Sequence, residues 1–368
     1  MIKQNLNLNL NLSLFSGAGG LDIGLQQAGF KTLKYVEFDK TCRETLKLNI
    51  ANLNPNYSAY NEAHKNLFND VKDYTEESTV QYELVSGGPP CQSFSTAGKR
   101  QALEDPRGNL ILEFIRIIRE TQPRFFIMEN VRGLTSAKVP NGLAGSVLQE
   151  EILPKFLDME YELSIGLVNA LDYGIPQDRK RFFIIGSRNH EFNTWPEYLP
   201  IEQLIPPTHG PTTDIPYLVL KDAISDLQEC GKGEPEYTPY AKHRANIYDR
   251  VPPGKNWRFF VNSPQYATEF VQYLMGGAYE SSGGRVGFWR RLSWDKWSPT
   301  LTTSPLQKAT GLCHPDEARP LSVQEYARIQ GFPDTWEFAG NTRLKYRQIG
   351  NAVPIKLGEV IGKALINM

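Results

Sequence analysis

Apolar and polar residues alternate from Leu6 to Leu14, with leucine at every even position. A period of two predicts a β-strand with one buried face, and the low-complexity first half reads as a frayed extension. Short apolar runs at Leu33–Val36, Tyr82–Val85, Arg124–Met128 and Phe182–Gly186 predict further strands. Leu110–Ile118 carries a wide apolar stripe, which predicts a helix lying on a sheet and ending at Gln122-Pro123. A short helix is expected over Leu321–Gln330, stopped by Gly331-Phe332-Pro333, and a last helix over Ile355–Ile366. After Gly186 the pattern changes. Residues 189–320 hold most of the prolines and tryptophans and show little helical periodicity. This predicts a second, irregular, β-rich domain. The expected division is a first domain over 1–188, completed by 346–368, and a second over 189–345.

The 368 residues suffice for two domains. A hydrophobic fraction of 40% and a charged fraction of 22% suit a soluble globular protein. No apolar run approaches the roughly 18 to 20 residues of a membrane helix, and Met1-Ile2-Lys3-Gln4 does not open a signal peptide. Cys42, Cys91, Cys230 and Cys313 form no CxxC pair. That argues against a zinc site or disulfide framework and fits a reducing, cytoplasmic setting. A net charge of −1 means that any nucleic-acid contact needs a local basic surface. One is available. Residues 189–240 set two lysines against nine carboxylates, whereas residues 241–310 set ten cations against four. The basic part interleaves aromatics and glycines, as in Asn256-Trp257-Arg258-Phe259-Phe260 and Phe288-Trp289-Arg290-Arg291. That mixture suits nucleic-acid contact, although a solvated surface accounts for each charge taken singly.

Candidate chemistry clusters where strands end. The first strand runs into Phe15-Ser16-Gly17-Ala18-Gly19-Gly20, a turn that lets backbone approach a ligand closely. The second ends in Glu37-Phe38-Asp39, and an acid about 20 residues past a glycine turn can bind a ribose hydroxyl. Asp70-Val71 would close a third strand. Tyr82–Val85 is cut off by Gly87-Gly88-Pro89-Pro90, and the stiff turn holds Cys91 at its tip. A lone cysteine is ordinarily a buried small hydrophobe, but this lead-in and the polar Gln92-Ser93-Phe94-Ser95 suit a reactive thiol. The next strand delivers Glu129, so a nucleophile and an acid are expected at one sheet edge. Arg179 and Arg181 lie two apart in Gln177-Asp178-Arg179-Lys180-Arg181, on one side of an extended chain.

In order, FSGAGG, GGPPCQSFS, MENV, QDRKR, EYARIQGFP and QIGNAVP identify the chain as a member of the DNA cytosine-5 methyltransferase family, from about residue 12 to 366. Six ordered blocks are far more specific than any one of them. The resemblance implies an α/β, Rossmann-like domain binding S-adenosyl-L-methionine and a smaller target-recognition domain. It implies a site-specific enzyme of the bacterial restriction-modification type, acting as a monomer on double-stranded DNA, with a possible cognate endonuclease. It assigns Phe15, Ala18, Gly20, Glu37, Phe38, Asp70, Val71, Pro89, Leu110, Asn351 and Val353 to the cofactor site. Thr300-Leu301 resembles the pair found in the family's recognition segments. By the same resemblance Cys91 adds to C6 of a flipped cytosine and Glu129 bonds N3. Arg181 bonds O2, and Arg179 helps to hold the group in register. An RNA cytosine-5 methyltransferase and a non-catalytic binding protein of the same fold are the competing readings.

Overall fold

The computed structural model describes residues 9–53, 67–76, 80–90, 109–136, 146–194, 198–228, 235–281 and 286–368. Cys91 and the first half of the Leu-Asn repeat lie outside them. The chain divides into two compact units. One holds the residues up to Tyr173, Lys180–Thr208 and Ala352–Met368; the other holds Gly174–Arg179 and His209–Asn351.

The first unit is built on an eight-stranded sheet. Its strands are β1 (Leu10–Leu14), β2 (Lys31–Val36), β3 (Leu67–Phe68), β4 (Leu84–Gly87), β5 (Phe125–Asn130) and β6 (Glu162–Asn169). β7 (Gln177–Asp178) belongs to the second unit, and β8 (Lys180–Ser187) and β9 (Leu199–Pro200) complete the sheet. The spatial order is β3-β2-β1-β4-β5-β8-β6-β9. β1 to β5 run parallel, and β8 enters antiparallel between β5 and β6. Parallel strands buried on both faces read as continuous apolar runs, and Phe125, Phe126, Ile127 and Met128 of β5 are all buried. Helices α1 (Gly20–Ala28), α2 (Lys40–Leu53) and α3 (Asn109–Thr121) follow β1, β2 and β4. α3 buries Ile111, Phe114, Ile115 and Ile118 in the main core with Leu12, Val85 and Phe126. The last helix, Ile355–Ile366, packs on α1 so closely that a Cβ at Gly24 would meet the Ile355 carbonyl at 2.1 Å.

The structure differs from the sequence expectation at four places, the first being Gly174–Arg179, which belong to the second unit rather than the first. β9 and the helix Ile201–Leu204 pack on β6, because Gly166 leaves room for Ile201, so the first unit reaches Thr208 rather than residue 188. Helix Thr342–Asn351 belongs to the second unit. That unit is irregular but not β-rich: its described residues pair β7 with Ser298–Pro299 and add isolated bridges from Cys313 to Arg291 and Pro320, and short helices carry the rest. Its core gathers Tyr248, Trp257, Phe260, Val271, Leu274 and Trp289, and large aromatics can fill it without strand periodicity. No helix among the described residues is long and apolar enough to cross a membrane.

Candidate active site

The carboxyl ends of β1 to β5 form one edge of the sheet. The connections leave β1 toward β2 on one side and reach β4 on the other, and open α/β sheets bind ligands at such a reversal. The described candidate residues of the first unit, which exclude Cys91, lie along this edge or in the core beneath it.

β1 ends at Leu14, and the turn that follows needs unusual backbone. Phe15, Gly17 and Gly19 all have positive φ, at 53°, 55° and 83°. For the bulky Phe15 that conformation is strained, and such strain gathers at ligand sites. A Cβ on Gly17 would meet nothing within 4 Å among the described residues, so they leave space in front of the turn. Beneath it Asp22 is wholly buried and accepts from the hydroxyls of Ser13 and Thr32, each at 3.0 Å. Burial lifts its carboxyl to about 6, against the opposing pull of those hydrogen bonds. Asp22 is not among the residues that the sequence singles out; an acid one turn into a helix after a glycine turn is the available signal. Ala18 and Gly20 are buried within the turn.

Glu37 at the end of β2 ties the edge together. One carboxylate oxygen accepts from the Gly17 amide and the other from the Asp39 amide, both at 2.7 Å. Burial raises its carboxyl above the usual value while these amides pull it down. Each oxygen has a second lone pair, so the carboxylate can still take a hydroxyl donor. Beside it the Phe38 ring is 75% exposed, and Arg43 holds the Phe38 carbonyl at 2.6 Å. Asp70 follows β3, with one oxygen on the Lys72 amide at 3.0 Å. Val71 is buried in the core, and Leu110 of α3 packs against that core half-buried. Val353 is buried just before the last helix, whereas Asn351 is exposed and closes a helix of the second unit.

β4 and β5 pair in parallel with Gly87 opposite Met128, which sets Gly88 beside Glu129. A Cβ on Gly88 would stand 2.8 Å from a Glu129 carboxylate oxygen, so only glycine leaves that carboxylate its place. Pro89 is buried, and its carbonyl accepts from Asn130 Nδ2 at 3.0 Å. Asn130, 3% exposed, therefore ties β5 to the turn that leads to Cys91. Its place beside Glu129 is the sole sequence signal for this role. Arg181, the second residue of β8, pairs with Glu129, Nε to Oε1 at 2.8 Å, with both side chains largely shielded.

Arg179 belongs to the second unit. It is wholly buried in the second unit, and its guanidinium donates to the Leu301 carbonyl at 2.9 Å and the Gly350 carbonyl at 2.7 Å. Gln177 and Gln330 extend the same network: Gln177 holds the Leu301 amide and bonds Gln330, which holds the Ile349 carbonyl. The arginine thus fixes the segment carrying Thr300-Leu301. Arg291 is likewise a scaffold residue, only 7% exposed, with its guanidinium on the carbonyls of Pro315, Tyr248 and Val251. It is not the free surface cation that its charge run suggests.

The sequence profile described as C-5 cytosine-specific DNA methylase matches residues 11–367. The chain is 38% identical to Type II methyltransferase M.Sau96I of Staphylococcus aureus over 96% of its own length and 74% of that protein's. It is 38% identical to Type II methyltransferase M.Eco47II of Escherichia coli, over 98% and 80%. Its fold resembles a solved prophage-encoded DNA modification methyltransferase of E. coli described as putative, with a TM-score of 0.67, 22% identity and coverage of 97% and 98%. It also resembles Spodoptera frugiperda DNMT2, with a TM-score of 0.62, 18% identity and coverage of 97% and 99%.

Proposed function

The chain belongs to the C-5 cytosine-specific DNA methylase family, and we propose from that premise that it methylates C5 of one cytosine within a short duplex site. The relatives are named Type II methyltransferases, which favours the methylase of a restriction-modification system; its place in the cytoplasm is part of the same proposal. The observation that carries the reading is the edge where Glu129, Arg181 and the turn to Cys91 converge beside the glycine turn.

The residues of this edge fit S-adenosyl-L-methionine. Among the described residues Gly17 leaves space in front of the turn, Glu37 keeps lone pairs for ribose hydroxyls, and Phe38 offers an exposed ring face to adenine. Ala18, Gly20, Asp70, Val71, Pro89, Leu110, Asn351 and Val353 are proposed to complete the site. Bound there, the cofactor supplies an electrophilic methyl group. The chain's own task is to make cytosine C5 nucleophilic. Cys91, as thiolate, adds to C6 and pushes electron density toward C5. Glu129 holds a proton at N3, and Arg181 donates to O2. Those two ring positions are adjacent, as their partners are here. Once C5 is substituted, a base takes its proton, which restores the C5–C6 double bond and expels the Cys91 thiolate. The ring faces are inaccessible in a duplex, so the base must leave the stack first.

Bisulfite sequencing of DNA from cells expressing the chain tests the reading. Protected cytosines should fall at one position of one recurring short sequence. Uniform conversion, with methylation of transfer RNA instead, would favour the RNA reading.

A further inference from the structure

The second unit contains a pocket of about 440 Å³ that no part of the catalytic edge uses, lined by Lys255, Asn256, Arg258, Phe259 and Asn262 among others. Its chemistry is one-sided. No acidic residue occurs between Asp249 and Glu269, and neither Lys255 nor Arg258 has a carboxylate partner among the described residues. Both are exposed. Arg258 lies over the Trp257 ring, 6.0 Å from its centroid, and with no carboxylate to neutralise either cation the pocket favours an anion.

The turn bearing them is rigid. Asn256 Nδ2 donates to the Val286 carbonyl and its Oδ1 accepts from the Arg258 amide, both at 3.0 Å. The Gly254 amide donates to the carbonyls of Arg291 and Leu292, and the Arg291 amide donates to the Lys255 carbonyl. The buried guanidinium of Arg291 anchors that second stretch of chain. The pocket's apolar side is fixed too, since Phe259 packs edge-on against Phe260 and Tyr266.

We propose that this pocket grips a phosphodiester of the DNA backbone, with Lys255 and Arg258 on the phosphate oxygens and Phe259 against the adjoining sugar. Asn262, whose side-chain amide has no partner among the described residues, adds a neutral donor. A preformed site orders little on binding, and phosphate contacts set the position of a protein on a duplex without reading its sequence. The pocket therefore supplies affinity and register, leaving the choice of bases to other residues. The inference rests on the reading of the chain as a DNA methyltransferase.

The test uses the full chain and a labelled random-sequence duplex, with affinity measured across a salt series. Lys255→Gln/Arg258→Gln should bind more weakly, and its log-log salt slope should fall by about 0.9 for each phosphate that is no longer neutralised. Lys255→Arg/Arg258→Lys keeps the charge and should keep the slope. Cofactor binding and thermal stability should match the parent, because both side chains are exposed. The methylated sequence should also be unchanged. An unaltered slope in the double glutamine variant overturns the phosphate assignment, even if affinity falls. Methyl transfer by the parent enzyme to cytosine in DNA is scored separately. Its absence removes the functional reading itself, whereas its presence with an unaltered slope removes only the pocket's role.

Discussion

Glu129 at the end of β5 and Arg181 at the start of β8 meet across an antiparallel strand pair, Oε1 to Nε at 2.8 Å. The contact is diagonal, since Asn130 faces Phe182 in the register and Arg181 lies one residue beyond. Antiparallel entry of β8 makes it possible: a strand running the other way would bring its far end to this edge. The two side chains are thus aligned by backbone pairing, before any substrate arrives.

Their coupling can be measured. Glu129→Gln should lower turnover on the order of 10²-fold or more, as expected for a positioned proton donor, with cofactor binding retained. Arg181→Ala should also lower turnover, and the double variant should lose less than the sum of the two in free energy. Strict additivity in a double-mutant cycle would show that the pair does not act as a unit.

Cys91→Ala should abolish methyl transfer while leaving DNA and cofactor affinity close to the parent, because only the covalent step is removed. Transfer near the parental rate would refute the nucleophile assignment.

A duplex with fluorine at C5 of the target cytosine should trap the enzyme. Cys91 can add to C6, but fluorine cannot leave as a cation, so the thiolate cannot be expelled after C5 is substituted. A complex surviving denaturing electrophoresis is expected with the methyl donor present, and none with Cys91→Ser. A protein that methylates ordinary cytosine without forming this adduct uses another mechanism.

Asp22 gives a pH dependence of defined sign. Its carboxyl moves from 3.8 when unfolded to about 6 when folded. Its protonated form is therefore favoured by the fold, and this contribution is fully present below pH about 3.8. It is lost as pH rises through about 6, and the total, from the linkage of pKa to stability, is on the order of 3 kcal/mol. Asp22→Asn should remove that fall from denaturant-unfolding curves taken between pH 4 and 7. Parallel curves for parent and variant would place the carboxyl's titration elsewhere.

Arg291→Ala should destabilise the second unit by about 3 kcal/mol, since it takes the guanidinium donor from the buried Pro315 and Val251 carbonyls, whereas the Tyr248 carbonyl keeps the Val251 amide. Differential scanning calorimetry should show the loss, and Lys255→Gln should show none. Equal effects from the two would contradict their different burial.

The sequence alone determined what depends on near neighbours. Glycines at Gly17 and Gly19 and the prolines after Gly88 dictate local backbone, so the turns at the ends of β1 and β4 were legible, as were the apolar runs of the strands. The family was legible for a related reason: its motifs are short stretches whose chemistry is contained within them. Only tertiary structure decided the fates of side chains whose partners come from far along the chain. Arg179 and Arg181 look equivalent two residues apart. One is enclosed by carbonyls 122 and 171 residues away, and the other pairs with the end of β5. Arg290 and Arg291 read as one charge run, yet Arg291 is walled in by carbonyls from two other segments of the chain, at Tyr248 and Val251 and at Pro315. The extension of the first unit to Thr208 was hidden similarly, because a two-residue strand has no periodicity and exists only through its pairing with β6. A charge or a short strand has no intrinsic place in a fold; burial and partners assign it one, and those are properties of the folded chain.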